Sequence, residues 1–178
     1  MMKIQLLDDE QHVLSALRRL LHPYDWEVHV FSDAQLALQA LTEHEYAVIV
    51  SDLKMPEVDG ITYLQFARQR QPNALRILLS AHGDRQSMLQ AINQAEIYRF
   101  ISKPWADFEV ETALRAAIDL YLLRDENQRL LLQLRQQQSD LERQEQELLR
   151  LEAEYPGITR VHRDNDGSVL IDEIDDSL

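Results

Sequence analysis

The chain contains no cysteine among its 178 residues. Disulfide bonds and thiolate metal sites are therefore excluded, which suits a reducing compartment such as the cytoplasm. The chain also lacks any apolar stretch that approaches the roughly 20 residues of a membrane-spanning helix. Its amino terminus runs directly into a predicted strand and has no h-region of a signal peptide. We therefore expect a soluble protein of the cytoplasm with no membrane segment.

Basic residues are scarce: 18 Lys and Arg stand against 31 Asp and Glu, which gives a formal net charge of -13. No cluster of Lys or Arg interrupts this acidic composition. A protein that binds the nucleic-acid backbone needs a basic face that releases counterions, so we expect no nucleic-acid binding. Hydrophobic residues make up 45% of the sequence, and the length allows one domain plus an appendage.

Short apolar runs alternate with helical apolar stripes from residue 3 to about residue 123. This alternation predicts five βα units and a mostly parallel, five-stranded sheet. The run Ala47–Val50 is unbroken, as expected for a strand that is buried on both faces. Either Ser32 or Asp33 is the predicted N-cap of the second helix. The predicted strands are Ile4–Leu7, Glu27–Phe31, Ala47–Ser51, Arg76–Ser80 and Arg99–Ile101.

Polar side chains stand at the carboxyl ends of these runs, and in open α/β sheets that edge is where ligands bind. Three carboxylates, one hydroxyl and one ammonium group are thus expected to converge on one site. Carboxylates this close together repel one another unless a hard cation lies among them, and Mg²⁺ binds a few carboxylates together with waters and phosphate oxygens. The constellation predicts a site that receives a phosphoryl group. Its members are Asp8, Asp9, Asp52, Ser80 and Lys103.

Three stretches carry a resemblance to a known family: Leu7–Glu10, Ser51–Pro56 and Phe100–Pro104. Together with Ser80 they closely resemble the receiver domain of bacterial two-component response regulators, over roughly residues 2–122. The resemblance implies a doubly wound (βα)5 parallel sheet of the flavodoxin-like, CheY-like type. It also implies Mg²⁺ as the cofactor and a sensor histidine kinase as the phosphodonor. The protein is expected to be a phosphoacceptor and not an enzyme.

The same resemblance implies roles for single residues. Asp52 is expected to be the phosphoacceptor, and Lys103 to pair with Asp52 before transfer and with the phosphoryl oxygens afterwards. Ser80 is expected to hydrogen-bond the phosphoryl group. By moving toward that group, Ser80 is expected to open space for the ring of Phe100. Ser80 and Phe100 would thus form a switch that reports phosphorylation.

The resemblance also implies the Mg²⁺ ligands and the residues that border the site. Lys54 and His82 border the site and are expected to tune how fast the phosphoryl group is lost. The alternative is that both are solvated loop residues without such a role. Lys103-Pro104 is expected to carry a cis peptide bond, as X-Pro bonds permit. The expected Mg²⁺ ligands are Asp8, Asp9, Asp52 and the backbone carbonyl of Lys54.

From Leu120 onward the apolar period is seven. Leucine at most a and d positions over successive heptads predicts a coiled coil. Asn127 at an a position favours a parallel homodimer in fixed register, because a buried Asn pairs with its twin. Like charges in the carboxyl-terminal half repel in a parallel pair, so an antiparallel or higher assembly stays open. The predicted dimer residues are Leu120, Leu123, Asn127, Leu130, Leu134, Leu141, Leu148 and Leu151.

The long helix is expected to stop at Tyr155–Gly157. Two runs that flank a polar turn, Ile158–Arg163 and Ser168–Ile171, predict a β-hairpin before a frayed acidic tail. An alternative is a calcium loop over His162–Glu173, although its first position holds His where Asp is needed. The predicted domains are a receiver over 1–122, a coiled coil over 120–155, and a hairpin with tail over 156–178.

These features predict a response regulator that is phosphorylated on Asp52 and signals to a downstream protein partner. The signal would be a change in the receiver surface and in the coiled-coil homodimer. Two alternatives stay open. In one, the chain is the regulatory part of a longer phosphodiesterase- or phosphatase-type regulator, since receivers with a stretch similar to Arg99–Trp105 often precede such domains. In the other, the chain is a dimeric scaffold that works without phosphorylation.

Overall fold

Strands and helices alternate from residue 2 to residue 81, as the apolar pattern predicts. The structure, a computed structural model, describes residues 1–81 and 95–156. The strands are β1 (Met2–Leu7), β2 (Trp26–Phe31), β3 (Val48–Asp52), β4 (Leu75–Ala81) and β5 (Arg99–Lys103), and the described helices are α1 (Gln11–Leu21), α2 (Ala34–Glu43), α3 (Gly60–Arg70) and α4 (Asp107–Glu154).

The five strands form one parallel sheet in the order β2-β1-β3-β4-β5. The predicted doubly wound fold is thereby confirmed. Three strands extend past their predicted ends, because parallel pairing continues to Asp52 opposite Leu79 and to Lys103 opposite Ala81. The predicted helix after Gly83, and the predicted hairpin and calcium loop beyond residue 156, lie outside the described residues.

Two apolar clusters cover the two faces of the sheet. The first cluster joins strand residues such as Ile77 and Leu79 to α1 and to the start of α4. The second cluster joins Ile49 and Leu78 to α2 and α3. Neighbouring strand residues point to opposite faces, so Leu78 and Leu79 belong to different clusters. Every residue of β3 is buried, as expected for a central parallel strand with helices on both faces.

Aspartate side chains cap two of the helices. Asp33 accepts hydrogen bonds from two N–H groups in the first turn of α2. Of the two predicted caps, Ser32 and Asp33, the structure therefore uses Asp33. Asp59 caps α3 in the same way, and each such cap stabilises its helix by about 1 kcal/mol. The residues that α1 buries are Val13, Leu14, Leu17 and Leu21.

The chain divides into two units, Met1–Asn127 and Gln128–Leu178. The first unit holds the sheet, and there α4 buries one side against the first cluster through residues such as Val110 and Leu114. The described part of the second unit contains the rest of α4, whose leucines are exposed except for the partly buried Leu151. The domain limits proposed from the sequence stay predictions. No helix in the described ranges is long and apolar enough to span a membrane.

Candidate functional site

Lys103 is the centre of a cluster of charged side chains at the carboxyl edge of the sheet. Its Nζ lies 2.6 Å from Asp52 Oδ1 and 2.7 Å from Asp8 Oδ2. Asp8 directly follows β1, Asp52 ends β3 and Lys103 ends β5. The structure thus brings together three of the predicted site residues. Two carboxylates against one ammonium group leave the trio with a negative charge that a cation can balance.

Burial and hydrogen bonding act in opposite directions on these groups. Burial raises the pKa of Asp8, and hydrogen bonds from Lys103 and from the Glu10 N–H oppose that rise. Burial by itself lowers the pKa of Lys103. Its hydrogen bonds to Asp52 and Asp8 outweigh this effect and hold the pKa of Lys103 above the ordinary value. Lys103 is therefore a cation at neutral pH and can bind an anionic group.

Both carboxylate oxygens of Asp52 have partners. While Oδ1 contacts Lys103, Oδ2 accepts a hydrogen bond of 2.9 Å from the N–H of Lys54. Gly60 closes the loop behind Asp52, and a Cβ at Gly60 would lie only 1.9 Å from the carbonyl oxygen of Asp52. The N–H of Gly60 also donates to the carbonyl of Leu53 at 2.9 Å. The tight loop therefore brings the backbone of Gly60 against that of Asp52.

Ser80 lies on β4, between the strands that carry Asp52 and Lys103. Within residues 1–81 and 95–156, its Oγ is the one buried side-chain polar atom that has no hydrogen-bond partner. An unsatisfied buried hydroxyl costs about 1–3 kcal/mol, so an oxygen of a bound group would stabilise it. Phe100 is partly buried against the second cluster and pairs with Leu78. Ser80 and Phe100 thus face the same side of the sheet.

The three expected carboxylates differ in exposure, since Asp8 and Asp52 are buried. Asp9 is exposed, and no three His, Cys, Asp or Glu side chains form a metal-binding group in the part of the chain that the structure describes. Mg²⁺ needs only one or two carboxylates when waters and phosphate oxygens complete its coordination. Asp8 and Asp52, both buried at the sheet edge, fit that requirement. The ligand roles of Asp9 and of the Lys54 carbonyl stay predictions.

Two further predicted residues, Lys54 and Pro104, border this cluster. The Lys103-Pro104 peptide bond is cis, as predicted. Pro104 and the side chain of Lys54 are exposed. His82 lies outside the described residues, so its position beside the site stays a prediction. The border of the site is thus described on the β3 and β5 sides.

Sequence reasoning missed Glu10. Its Oε1 lies 3.6 Å from Lys103 Nζ, and its N–H donates a hydrogen bond of 2.9 Å to Asp8 Oδ1. The available signal was its place directly after the pair Asp8 and Asp9, where the loop that follows β1 returns toward the sheet edge. Glu10 is therefore a third carboxylate that contacts Lys103, in addition to Asp8 and Asp52.

The predicted dimer residues all lie on α4. Leu120 is partly buried against the first cluster, whereas Leu123 is 58% exposed. Asn127 is exposed as well. The row of predicted dimer residues, which we call the seam, is therefore partly buried at Leu120 and exposed at Leu123. Beyond it, the exposed leucines at predicted seam positions are Leu130, Leu134, Leu141 and Leu148, while Leu151 is partly buried.

Comparison with known proteins gives a family match. Residues 4–119 match the family model described as response regulator receiver domain. The hydrogenase transcriptional regulatory protein HoxA of Cupriavidus necator is 33% identical over 132 residues, which cover 74% of this chain and 27% of that protein. The response regulator protein TodT of Pseudomonas putida is 28% identical over 147 residues, which cover 83% of this chain and 64% of that protein. The chain thus spans less than two thirds of either relative.

Solved structures are similar as well. The signal receiver domain of an HD domain-containing protein from Pseudomonas fluorescens Pf-5 is 38% identical, with a TM-score of 0.68 over 70% of this chain and 92% of that chain. A structure named as adenylate cyclase from Rhodopirellula baltica is 30% identical, with a TM-score of 0.68 over 72% of this chain and 96% of that chain. Both comparisons support the fold assignment.

Proposed function

The chain belongs to the family of response regulator receiver domains of two-component systems, and on that premise we propose that Asp52 accepts a phosphoryl group from the phosphohistidine of a sensor histidine kinase. A carboxylate oxygen of Asp52 forms a bond to phosphorus while the bond from phosphorus to the imidazole nitrogen breaks. The bonding pair stays on the imidazole, which takes up a proton. One observation carries the proposal: Asp52, the unpartnered hydroxyl of Ser80, and Lys103 lie on three adjacent strands at one sheet edge.

Different residues of the chain contribute contacts before and after the transfer. The N–H of Lys54 holds one oxygen of Asp52, so that the other oxygen is presented beside Lys103. After transfer, Lys103 contacts the phosphoryl oxygens instead of Asp52. Ser80 donates a hydrogen bond from its hydroxyl group to one of these oxygens. Preorganised donors of this kind stabilise developing charge without reorganisation of the site. Phe100 then occupies the space that Ser80 leaves.

Mg²⁺ is the proposed cofactor. Asp8, Asp9, Asp52 and the carbonyl of Lys54 would hold it, and the bound ion would supply positive charge beside the transferred group. The chain's own contribution is to keep two carboxylates buried at the sheet edge, at the side of Lys103. The receiver itself acts as a phosphoacceptor and not as an enzyme on a separate substrate.

For the output we propose a parallel homodimer through α4. The support is the exposed leucine seam, which is predicted to pair with a second copy, and Asn127 at an a position. Phosphorylation would move Ser80 and Phe100 and so change the receiver surface next to α4. A downstream protein partner would read that change in the cytoplasm. The net charge of -13 argues against nucleic acid as the partner of this chain.

A second candidate function has an observation of its own. The chain covers only 27% of HoxA, and a similar structure is the receiver domain of an HD domain-containing protein. The chain would then be the regulatory part of a longer protein, for which we propose a phosphodiesterase- or phosphatase-type output. An immunoblot of the native protein at a mass well above 20.8 kDa would favour this candidate.

The phosphoacceptor proposal is tested with acetyl phosphate and Mg²⁺, by intact-protein mass spectrometry. We expect one phosphoryl group on the natural sequence and none on Asp52→Asn. Asp33→Asn is the matched control, because it removes the same charge while Asn still caps α2. Equal labelling of Asp52→Asn and Asp33→Asn would show that Asp52 is not the acceptor. Chelation of Mg²⁺ is expected to abolish labelling.

A further inference from the structure

Glu10 is a third carboxylate beside Lys103, and the proposed transfer does not use it. Its Oε1 lies 3.6 Å from Lys103 Nζ, and its Oε2 lies 3.4 Å from Nε2 of His12. The side chain is 50% exposed, so its charge faces both the cluster and the solvent. Asp8 and Asp52 already exceed the charge of Lys103. Glu10 therefore adds further negative charge beside Lys103, on a side chain that reaches the solvent.

The local structure does not require glutamate at this position. Glu10 is the N-cap residue of α1, where Ser, Thr, Asp and Asn are preferred, and in the described residues its side chain makes no capping hydrogen bond. The backbone makes the structural contacts instead. Its N–H donates to Asp8 Oδ1 at 2.9 Å, and its carbonyl accepts from the N–H of Val13 at 3.0 Å. Removal of the carboxylate charge should leave these contacts in place.

We propose that Glu10 sets the selectivity of the site among phosphodonors by charge, disfavouring doubly negative donors relative to singly negative ones. The inference rests on the proposed function, because the donor must approach Asp52. Two effects act in the same direction. The carboxylate of Glu10 repels the donor directly, and it competes with the phosphoryl oxygens for Lys103. At a half-exposed site, an interaction between unit charges at this range changes a rate by about three- to tenfold.

The experiment compares two small donors at saturating Mg²⁺ and low ionic strength. Acetyl phosphate is a dianion at neutral pH, and phosphoramidate is a monoanion. The second-order rate constant of phosphorylation is measured from the quenching of tryptophan fluorescence and checked by mass spectrometry. Glu10→Gln removes the charge and keeps the side-chain length. Glu45→Gln is the control, because Glu45 is exposed and precedes β3 at the opposite edge of the sheet.

We expect Glu10→Gln to accelerate phosphorylation by acetyl phosphate about three- to tenfold and by phosphoramidate at most half as much. The difference between the donors should shrink at high salt, because charges at an exposed site are screened. Glu10→Asp keeps the charge on a shorter side chain and should restore most of the natural selectivity. Glu45→Gln should match the natural sequence with both donors.

Equal acceleration with both donors, or slower phosphorylation with acetyl phosphate, would overturn the role of Glu10, since a purely structural effect does not distinguish donors by charge. A natural sequence that neither donor labels would instead overturn the proposed function itself, and the inference with it. The two failures are therefore distinguishable in the same experiment.

Discussion

Leucine is buried in the first part of α4 and exposed in the second part. Leu114, in the unit Met1–Asn127, is 1% exposed, whereas Leu134, in the following unit, is 61% exposed. Leucine has the same helix propensity in both places, so the difference comes from what lies beside the helix. The sheet covers the first part. An apolar stripe like that of the second part is typical of a surface that pairs with another chain.

The largest expected effect separates the two parts directly. Leu114→Ala should lower the free energy of unfolding of the first unit by about 3 kcal/mol, because it leaves a cavity in the first cluster. Leu134→Ala should leave that unit unchanged and weaken self-association instead. Urea unfolding followed by Trp26 and Trp105, both in the first unit, measures the former, and sedimentation equilibrium measures the latter. Similar shifts of the urea midpoint in both variants would break the comparison.

A second pair of variants extends the comparison to arginine. Arg76 is buried in β4 and donates to the carbonyls of Ala95 and Ala74, each at 2.7 Å. Arg76→Met should cost the first unit about 2–3 kcal/mol, because two buried carbonyls lose their donor. Arg143 forms an exposed pair with Asp140 at 3.9 Å. Arg143→Met should therefore leave the urea midpoint unchanged, and an equal loss in both variants would contradict this account.

A smaller effect is expected at Asn127. Asn127→Leu should strengthen dimerisation, but the dimer should no longer favour the parallel orientation of its helices, because the Asn pair that specifies it is lost. The chain has no cysteine, so Leu151→Cys introduces a single one. A parallel dimer cross-links through it, and an antiparallel dimer separates the two sulfurs. Cross-linking should be efficient with Asn127 and reduced with Leu at that position. Poor cross-linking with Asn127 present would indicate an antiparallel pair.

The smallest effect is the response to salt. In a parallel dimer, the heptad register places Asp140 opposite Glu145 of the second copy, and Glu147 opposite Glu152. Higher salt screens this repulsion and should lower the dissociation constant about two- to fivefold between 0.05 M and 0.5 M NaCl. The unfolding of the first unit provides the reference in the same buffers. Dissociation promoted by salt would mean that attractive pairs dominate the seam.

Much of the first unit could be predicted because its signals are local. Each strand was visible as a short apolar run and each helix as a stripe, and Asp59 and Asp33 are residue types that cap helices. The sequence could not choose between Ser32 and Asp33, because either side chain can reach the first turn. It also placed Asp52 and Lys103 just after their strands. Pairing with β4 extends those strands, and that pairing depends on a neighbour far away in sequence.

By itself, then, the sequence determined the order of the described elements, the parallel sheet and the placement of Asp8, Asp52 and Lys103 at its carboxyl edge, because apolar period and capping act over a few residues. Only the tertiary structure decided which of three successive acidic residues lie close to Lys103. Asp8 is buried against Lys103, Asp9 is exposed, and Glu10 returns to within 3.6 Å of Lys103. These choices depend on how β1 and β5 are packed and on where the loop before α1 turns, which residue types alone do not specify.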